Sequence, residues 1–246
     1  VDVDGFGSNV PLTGVTAAPV TMTVVDFERV WWDFKSGAKT RVSVWRPKVP
    51  RGWGSFGDVA VNRLEPPVST VVVRVIPDRV ERGASGRPRS PPTTPPIGYH
   101  LVWKDSGFRA GRSRHKQGTI SFWRPVPQDG YVAIGDVASP SHASPPKDAV
   151  VCLRADLARA LPQFAFSEGA AWTSAGAHFK LGKRPVALFH PNAFSEDWTS
   201  LGTFLAAHAE EGKSFRPPEM AYAPEYARWK SPTDQDGGGG GYVFST

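Results

Sequence analysis

The feature of this sequence that most limits its fold is a long motif that occurs twice. Trp-Arg-Pro followed by Gly-Asp-Val-Ala runs from Trp45 to Ala60 and, with the same spacing, from Trp123 to Ala138. Before each of them an aromatic residue, Phe27 or Tyr99, opens a string of the form aromatic-x-x-x-Trp-x-Asp. A motif that returns at such an interval predicts repeated structural units.

A third, weaker copy follows the first two. Ala171–Ala177 resembles the opening string, Pro185–Pro191 the strand with Trp-Arg-Pro, and Leu201–Ala206 the Gly-Asp-Val-Ala turn. A half-copy from Tyr226 to Phe244 could close a sheet near the N-terminus. We therefore expect one domain, 1–246, with repeats at about 24–76, 97–157 and 164–224, a closing half-repeat at 225–246 and a Pro- and Arg-rich linker at 77–96.

Composition indicates the secondary structure of the repeated unit. The 246 residues include 25 Gly and 24 Pro, a density that excludes long helices, while 40% hydrophobic residues exclude a disordered chain. We predict an all-β, pseudo-threefold, β-prism-like domain with long Pro/Gly-rich loops, whose closed ring leaves few strand edges exposed. Val68–Ile76 and Ala149–Arg154 are predicted strands, and short helices are predicted at Arg154–Leu161 and Leu201–Ala209.

The repeated tryptophans are predicted to be core residues, because an aromatic side chain on an alternating strand buries a large apolar area. We expect them to lie around one pseudo-threefold axis. They are Trp31, Trp45, Trp103, Trp123 and Trp172. The alternative is that some of them line a ligand pocket.

Two charged residues of the motif indicate a structural pairing. The first two copies keep Arg46 with Asp58 and Arg124 with Asp136, whereas the third has His190 and Thr203 in their places. The two residues of a buried ion pair are expected to be lost together, because one charged partner left buried without the other is strongly destabilising. We predict a bidentate contact in both copies. Independent drift of two surface charges remains the alternative.

No motif for catalysis or metal binding is found. The single Cys152 excludes an internal disulfide and a cysteine-based zinc site, and the six histidines lack metal-ligand spacing. Asp33 and Asp105 are interpreted as side chains that bond their own turns. We expect no cofactor, no metal and no enzyme activity, although a Ser/His/Asp set assembled in space stays open.

Basic loops are the remaining candidate sites on a chain of net charge +6. A hairpin tip carries Arg109, Arg112, Arg114, His115 and Lys116, and the linker carries further arginines. Such loops suit a protein partner or an anionic membrane surface better than nucleic acid, and a solvated loop without a partner is the alternative. No apolar stretch approaches the length of a membrane span.

The repeated string resembles the vacuolar protein sorting-associated protein 62 family, which includes a plant group of unknown function and modules of large lipid-transfer proteins. The matching residues are Trp31, Asp33, Trp45–Pro47, Gly57–Ala60, Trp103, Asp105, Trp123–Pro125, Gly130, Tyr131 and Gly135–Ala138. The resemblance implies an all-β, prism-like module with a non-catalytic role. It is strong from Phe27 to Leu157 and weaker beyond.

We therefore expect a binding or scaffold module that contacts a protein partner or membrane surface, or is a subunit of an assembly. The alternative is a lectin-like carbohydrate binder, in which Trp53 and Trp198 would stack on sugar rings. The chain opens without an initiator Met, so we expect a processed form or fragment. The compartment stays open, with an intracellular site at a membrane or in an organelle as the expectation.

Overall fold

A computed structural model describes residues 21–33, 41–75, 90–105, 119–161, 172–173, 186–189, 203–208 and 221–224. Within these ranges the secondary structure is β, apart from one 3-10 turn at Ala155–Leu157. The same ranges contain no helix with the length and apolar character needed to cross a membrane. The all-β class predicted from the Gly and Pro content is therefore confirmed.

Seventeen short strands lie in the described ranges. In chain order they are β1 (Thr21–Val24), β2 (Phe27–Trp32), β3 (Ser43–Pro47), β4 (Trp53–Ser55), β5 (Val59–Val61), β6 (Thr70–Arg74), β7 (Thr93–Thr94), β8 (Gly98–Lys104), β9 (Ser121–Val126), β10 (Tyr131–Val132), β11 (Val137–Ser139), β12 (Cys152–Arg154), β13 (Ala158–Leu161), β14 (Trp172–Thr173), β15 (Val186–Phe189), β16 (Leu205–His208) and β17 (Ala221–Pro224). All their pairings are antiparallel and form small sheets.

Three of these sheets share one strand order. We call them the first sheet (β2-β3-β5), the second sheet (β8-β9-β11) and the third sheet (β14-β15-β16). In each of them the central strand pairs with an earlier and a later strand. The first two sheets also share a register shift, between Arg29 and Trp31 and between Leu101 and Trp103. The remaining sheets are β1-β6-β4, β10-β12-β7 and β13-β17.

One hydrophobic cluster receives side chains from all three of these sheets. Alternation along β3 directs Val44 into this cluster and Ser43 and Trp45 to the opposite face, as the two-residue period of a strand requires. The buried members are Trp31, Val42, Val44, Ala60, Trp103, Ile120, Phe122, Ala138, Val186, Leu188, Phe204 and Ala206. This shared core fixes the edges of the three sheets against one another.

A second cluster packs on the opposite face of the third sheet. It joins Ala187, Phe189 and Leu205 of that sheet to side chains of β6, β12 and the 3-10 turn, and to the residues just before the two Gly-Asp turns. Those further members are Phe56, Val71, Val73, Ile134, Leu153 and Leu157. The third sheet is therefore covered on both faces.

Both predicted helices are corrected by the structure. The segment Arg154–Leu161 is the end of β12, a 3-10 turn and β13, and β13 pairs with β17. In the described part of Leu201–Ala209 the chain forms β16, which pairs with β15. Backbone pairing with distant strands outweighs the local preference of alanine and leucine for helix.

The linker predicted at 77–96 is in part built into the sheets. Thr93 and Thr94 form β7, which pairs with β12, and the hydroxyl of Tyr131 donates to the carbonyl oxygen of Pro91 at 2.7 Å. The end of this Pro-rich segment is therefore structural. Residues 76–89 lie outside the described ranges.

The tryptophans do not occupy one shared position. Trp31 and Trp103 belong to the cluster shared by the three sheets, whereas Trp45 is buried on the outer face of the first sheet with Phe27 and Val59. Trp123 is half-buried, and the side chain of Trp172 lies outside the described part. The expectation of one common axis for all five is wrong for Trp45, because it points to the opposite face from its neighbour Val44.

Candidate functional site

Arg46 on β3 and Asp58 just before β5 form a two-point charged contact. The guanidinium donates from Nε to Oδ1 and from Nη2 to Oδ2, both at 2.9 Å. The carboxylate of Asp58 is fully buried, whereas 30% of the Arg46 side chain is exposed. This two-point geometry fixes the orientation of both groups.

Arg124 and Asp136 form the same contact in the second sheet. Their two hydrogen bonds are 2.9 Å from Nε and 2.8 Å from Nη2, and the carboxylate is again fully buried. The structure thus brings together both charge pairs that the sequence motif suggested.

Each pair also reaches the next sheet, which the sequence analysis missed. Asp58 accepts a hydrogen bond from the N–H of Ala138 at 2.8 Å, and Arg46 donates to the carbonyl oxygen of the same residue at 2.7 Å. Asp136 and Arg124 hold the N–H and carbonyl of Ala206 in the same way, at 2.7 and 2.9 Å. We call these two arrangements the clamps, because each fastens one sheet to the edge of the following one.

Burial and charge act against each other in the clamps. Burial raises the pKa of the Asp58 and Asp136 carboxyls, while the arginine charge, its hydrogen bonds and the alanine N–H oppose that shift. Burial alone would lower the pKa of Arg46 and Arg124, but the facing carboxylates raise it above its ordinary value. The guanidinium groups therefore remain charged and available to hold the buried oxygens.

Among its described residues the third sheet has no clamp, and the register shows which residue replaces the aspartate. Trp45 lies opposite Val59, and Phe189 lies opposite Leu205, so Phe204 occupies the place of Asp58. The expected equivalence of Thr203 with the aspartates is wrong by one position, because Phe189 and its partner Leu205 are two positions further apart in sequence than Trp45 and Val59. Phe204 is fully buried and meets Phe122 edge-on with ring centroids 5.4 Å apart.

Thr203 instead lies where the three sheets meet most closely. A side-chain carbon added to Gly135 would come within 1.7 Å of the Thr203 hydroxyl, and one added to Gly57 within 2.5 Å. The backbone also crosses here, since the N–H of Asp58 donates to the carbonyl of Asp136 at 3.0 Å. These glycines are required by close approach, which the motif alone did not reveal.

Trp45 and Trp123 share a hydrogen-bond relay on the outer faces. The indole N–H of Trp45 donates to the Ser43 hydroxyl at 2.7 Å, which donates to the carbonyl of Arg63 at 2.5 Å. The indole of Trp123, the hydroxyl of Ser121 and the carbonyl of Ser141 repeat both distances. The relay satisfies an indole that would otherwise be buried without a partner.

Asp105 takes part in a contact that the sequence did not suggest. Its buried carboxylate lies 2.5 Å from Nε2 of His142, whose side chain is 35% exposed. Asp33, the matching residue of the first copy, is also buried, and its N–H donates to the carbonyl of Val42 at 2.7 Å. The interpretation of Asp105 as bonded only to its own turn therefore omits a partner from a distant segment.

Arginine guanidinium groups lie near the rings of three tryptophans. The guanidinium of Arg29 lies 4.1 Å from the ring centroid of Trp32 and 5.7 Å from that of Trp45. Trp53, a predicted sugar-stacking residue, is half-buried against Met22, Val24 and Val72. The guanidinium of Arg74 lies 5.9 Å from the Trp53 ring.

The other predicted binding residues lie outside the described ranges. They are Arg109, Arg112, Arg114, His115, Lys116 and Trp198. Across the residues that the structure describes, no group of three His, Cys, Asp or Glu side chains could hold a metal ion. Chemically, the clamps can hold sheets together, since their buried oxygens are occupied by fixed donors.

The fold is similar to that of one solved protein of much greater length. The crystal structure of GNIP1Aa from Chromobacterium piscinae superposes with a TM-score of 0.58 at 19% identity, over 81% of this chain and 34% of that one. The chain thus spans about a third of the length of that protein, and the likeness concerns the fold alone. A search of curated proteins gave no match.

The family comparison covers most of the chain. The model of vacuolar protein sorting-associated protein 62 matches residues 4–220, which include both clamps and all three sheets that share a strand order. The resemblance expected from the paired Trp-Arg-Pro and Gly-Asp-Val-Ala strings is thereby confirmed. The chain belongs to the vacuolar protein sorting-associated protein 62 family.

Proposed function

We propose that this chain is a non-catalytic binding module with a β-prism-like, pseudo-threefold frame, which presents its surface to a protein partner or membrane. One observation carries the proposal. The fully buried carboxylates of Asp58 and Asp136 are each held by an arginine and by a backbone N–H of the next sheet. These charged groups join the sheets to one another, so we assign partner binding to the outer surface.

The pseudo-threefold arrangement is supported by three matching features. The first, second and third sheets have the same strand order, corresponding alanines lie opposite Val44, Phe122 and Leu188, and one cluster joins all three. The clamps run from the first sheet to the second and from the second to the third. A ring in which each unit contacts the next in the same way would produce this pattern.

The non-catalytic role is supported by the state of the buried polar groups. An acid, base or nucleophile must reach a substrate with a free lone pair or proton. In the clamps both carboxylate oxygens accept hydrogen bonds from fixed donors. The carboxylate of Asp105 is buried and in contact with His142, so a substrate would not reach it directly.

Affinity purification of the tagged full chain from its own cells, followed by mass spectrometry, tests the binding role. We expect the same partner protein or membrane fraction in repeated preparations, displaced by excess untagged chain. A broad hydrolase screen tests the opposite possibility, that the chain is an enzyme. Turnover that co-purifies with the chain and disappears on unfolding would overturn the non-catalytic role.

Carbohydrate binding, the alternative function, has less support. A lectin stacks sugar rings on open aromatic faces, whereas Trp53 packs against three apolar side chains and the exposed Trp32 is overlain by Arg29. A glycan array tests it directly. Binding that disappears in Trp32→Ala or Trp53→Ala would move this function ahead of the first.

A further inference from the structure

Exposed valines are concentrated at one end of the first half of the chain. Among the residues that the structure describes, five large apolar side chains are strongly exposed, and three of them are Val25, Val49 and Val68, at 53%, 39% and 79%. We call these three residues the valine tip. Single exposed apolar side chains are ordinary, whereas several that lie together mark a candidate interaction surface.

Backbone contacts place the three valines at the same end. β1 and β6 are antiparallel with Val24 opposite Thr70, so Val25 and Val68 lie just beyond the same end of that pair. The N–H of Lys48 donates to the carbonyl of Asp26 at 3.0 Å, which brings Val49 beside Val25. The valine tip is therefore formed by three neighbouring segments.

The tip is stiff and carries cations. Exposed Pro50 and Pro66 flank the valines and restrict the backbone, which lowers the entropy lost on binding. Three exposed cations lie in the same segments, Lys48, Arg51 and Arg63, against two carboxylates, Asp26 and Glu65. Lys48 and Asp26 pair at 3.2 Å, so the remaining charge is positive.

We propose that the valine tip inserts into the surface of an anionic lipid bilayer, an inference that rests on the proposed binding function and names its target. The aromatic anchors that centre many protein interfaces are missing from the tip, which offers small aliphatic side chains. Aliphatic side chains flanked by cations suit a bilayer, where the chains enter the acyl boundary and the cations face the headgroups.

Flotation with vesicles tests this inference. The full chain should float with phosphatidylcholine–phosphatidylserine vesicles and much less with pure phosphatidylcholine, and binding should weaken with salt. Val68→Asp and Val25→Asp should each weaken binding at least about tenfold, because each removes an inserting group and adds a repelled charge. Ile97→Asp is the matched control, because Ile97 is 56% exposed and lies just before β8 of the second sheet. This variant should bind as the parent does.

A second measurement reports insertion directly. Cys152 is fully buried, so a polarity-sensitive dye on Val68→Cys would label the tip selectively. Its emission should shift to the blue on anionic vesicles, while the same dye on Ile97→Cys should not shift. Equal shifts at both positions, or equal losses from all three aspartate variants, would overturn the inference.

The two levels of proposal fail differently. If the chain recovers a protein partner but does not float with anionic vesicles, membrane insertion of the valine tip is overturned and the binding role stands. A chain that does neither overturns both. Circular dichroism of each variant is the check that an aspartate at these exposed positions leaves the fold unchanged.

Discussion

At the scale of single residues, the carboxylate of Asp58 is the clearest case of a charge that folding must satisfy. It lies at 0% exposure with three fixed donors, whereas Arg46 keeps 30% of its side chain in contact with water. The arginine can therefore rehydrate if its partner is removed, but the N–H of Ala138 cannot. The cost of losing the pair falls mainly on that buried N–H and on the vacated space.

Asp58→Ala should lower the free energy of unfolding by about 3 kcal/mol, measured by chemical denaturation. The exposed pair of Lys48 with Asp26 supplies the control, and Asp26→Ala should cost under about 1 kcal/mol. Arg46→Ala combined with Asp58→Ala should cost less than the sum of the two single changes. Full additivity would show that the two side chains do not act as a unit.

Cys152 gives a second prediction at this scale. Burial raises the pKa of its thiol from 9.0 to about 12. Because the unfolded chain ionises first, the stabilisation is complete below about pH 9 and is lost as pH rises toward the folded value. Between about pH 8 and pH 10 the parent should lose on the order of 1 kcal/mol more stability than Cys152→Ala. Parallel stability curves for the two proteins would contradict this.

At the scale of elements, local sequence predicts strands well and misassigns segments whose partners are distant. The strands predicted at Val68–Ile76 and Ala149–Arg154 contain β6 and β12. Arg154–Leu161 has helix-favouring composition, yet β13 pairs with β17, more than sixty residues later. No local pattern encodes that partner, so propensity gave the wrong element.

The outer face of each hairpin depends on the relay from tryptophan through serine to a carbonyl. Ser43→Ala should cost about 1–3 kcal/mol, because it leaves the buried indole N–H of Trp45 and the Arg63 carbonyl without their partner. Ser121→Ala should cost less, since Trp123 is half-exposed and its indole can bond to water. Thermal denaturation of both variants, with the exposed Ser144→Ala as a control, gives the order. Equal effects would mean that the relay does not depend on burial.

At the scale of the whole molecule, three sheets meet at Gly57, Gly135 and Thr203 with no room for another carbon. The motif indicated these glycines as turn residues, but their contacts with another sheet required the assembled fold. The same holds for the clamps, where the arginine and aspartate were identifiable in sequence and the alanine backbone that completes them was not. Shared spacing within the motif can indicate that an arginine and an aspartate pair. It cannot indicate a backbone partner 80 positions away, because every residue type except proline has the same backbone N–H and carbonyl.

Gly135→Ala should therefore be strongly destabilising, by about 3 kcal/mol or more, because its new carbon collides with Thr203. Adding Thr203→Gly should restore much of the loss, since the three nearest atoms all belong to the Thr203 side chain. Gly57→Ala should be rescued less, because it also meets the backbone carbonyl of Asp136. Gly98→Ala, with open space around it, serves as the control in calorimetric melts.

The direction of the clamps has a consequence for how the chain is made. Ala138, which completes the clamp of Asp58, is synthesised 80 residues after it, and Ala206, which completes that of Asp136, is synthesised 70 residues after it. At about 5–20 residues per second of synthesis, the missing alanine follows after about 4–16 s for Asp58 and about 3.5–14 s for Asp136. Each clamp is completed by a segment that is synthesised after the pair it holds, so the clamps can close in the order of synthesis. A nascent chain halted before Ala206 would hold its first clamp closed and its second open.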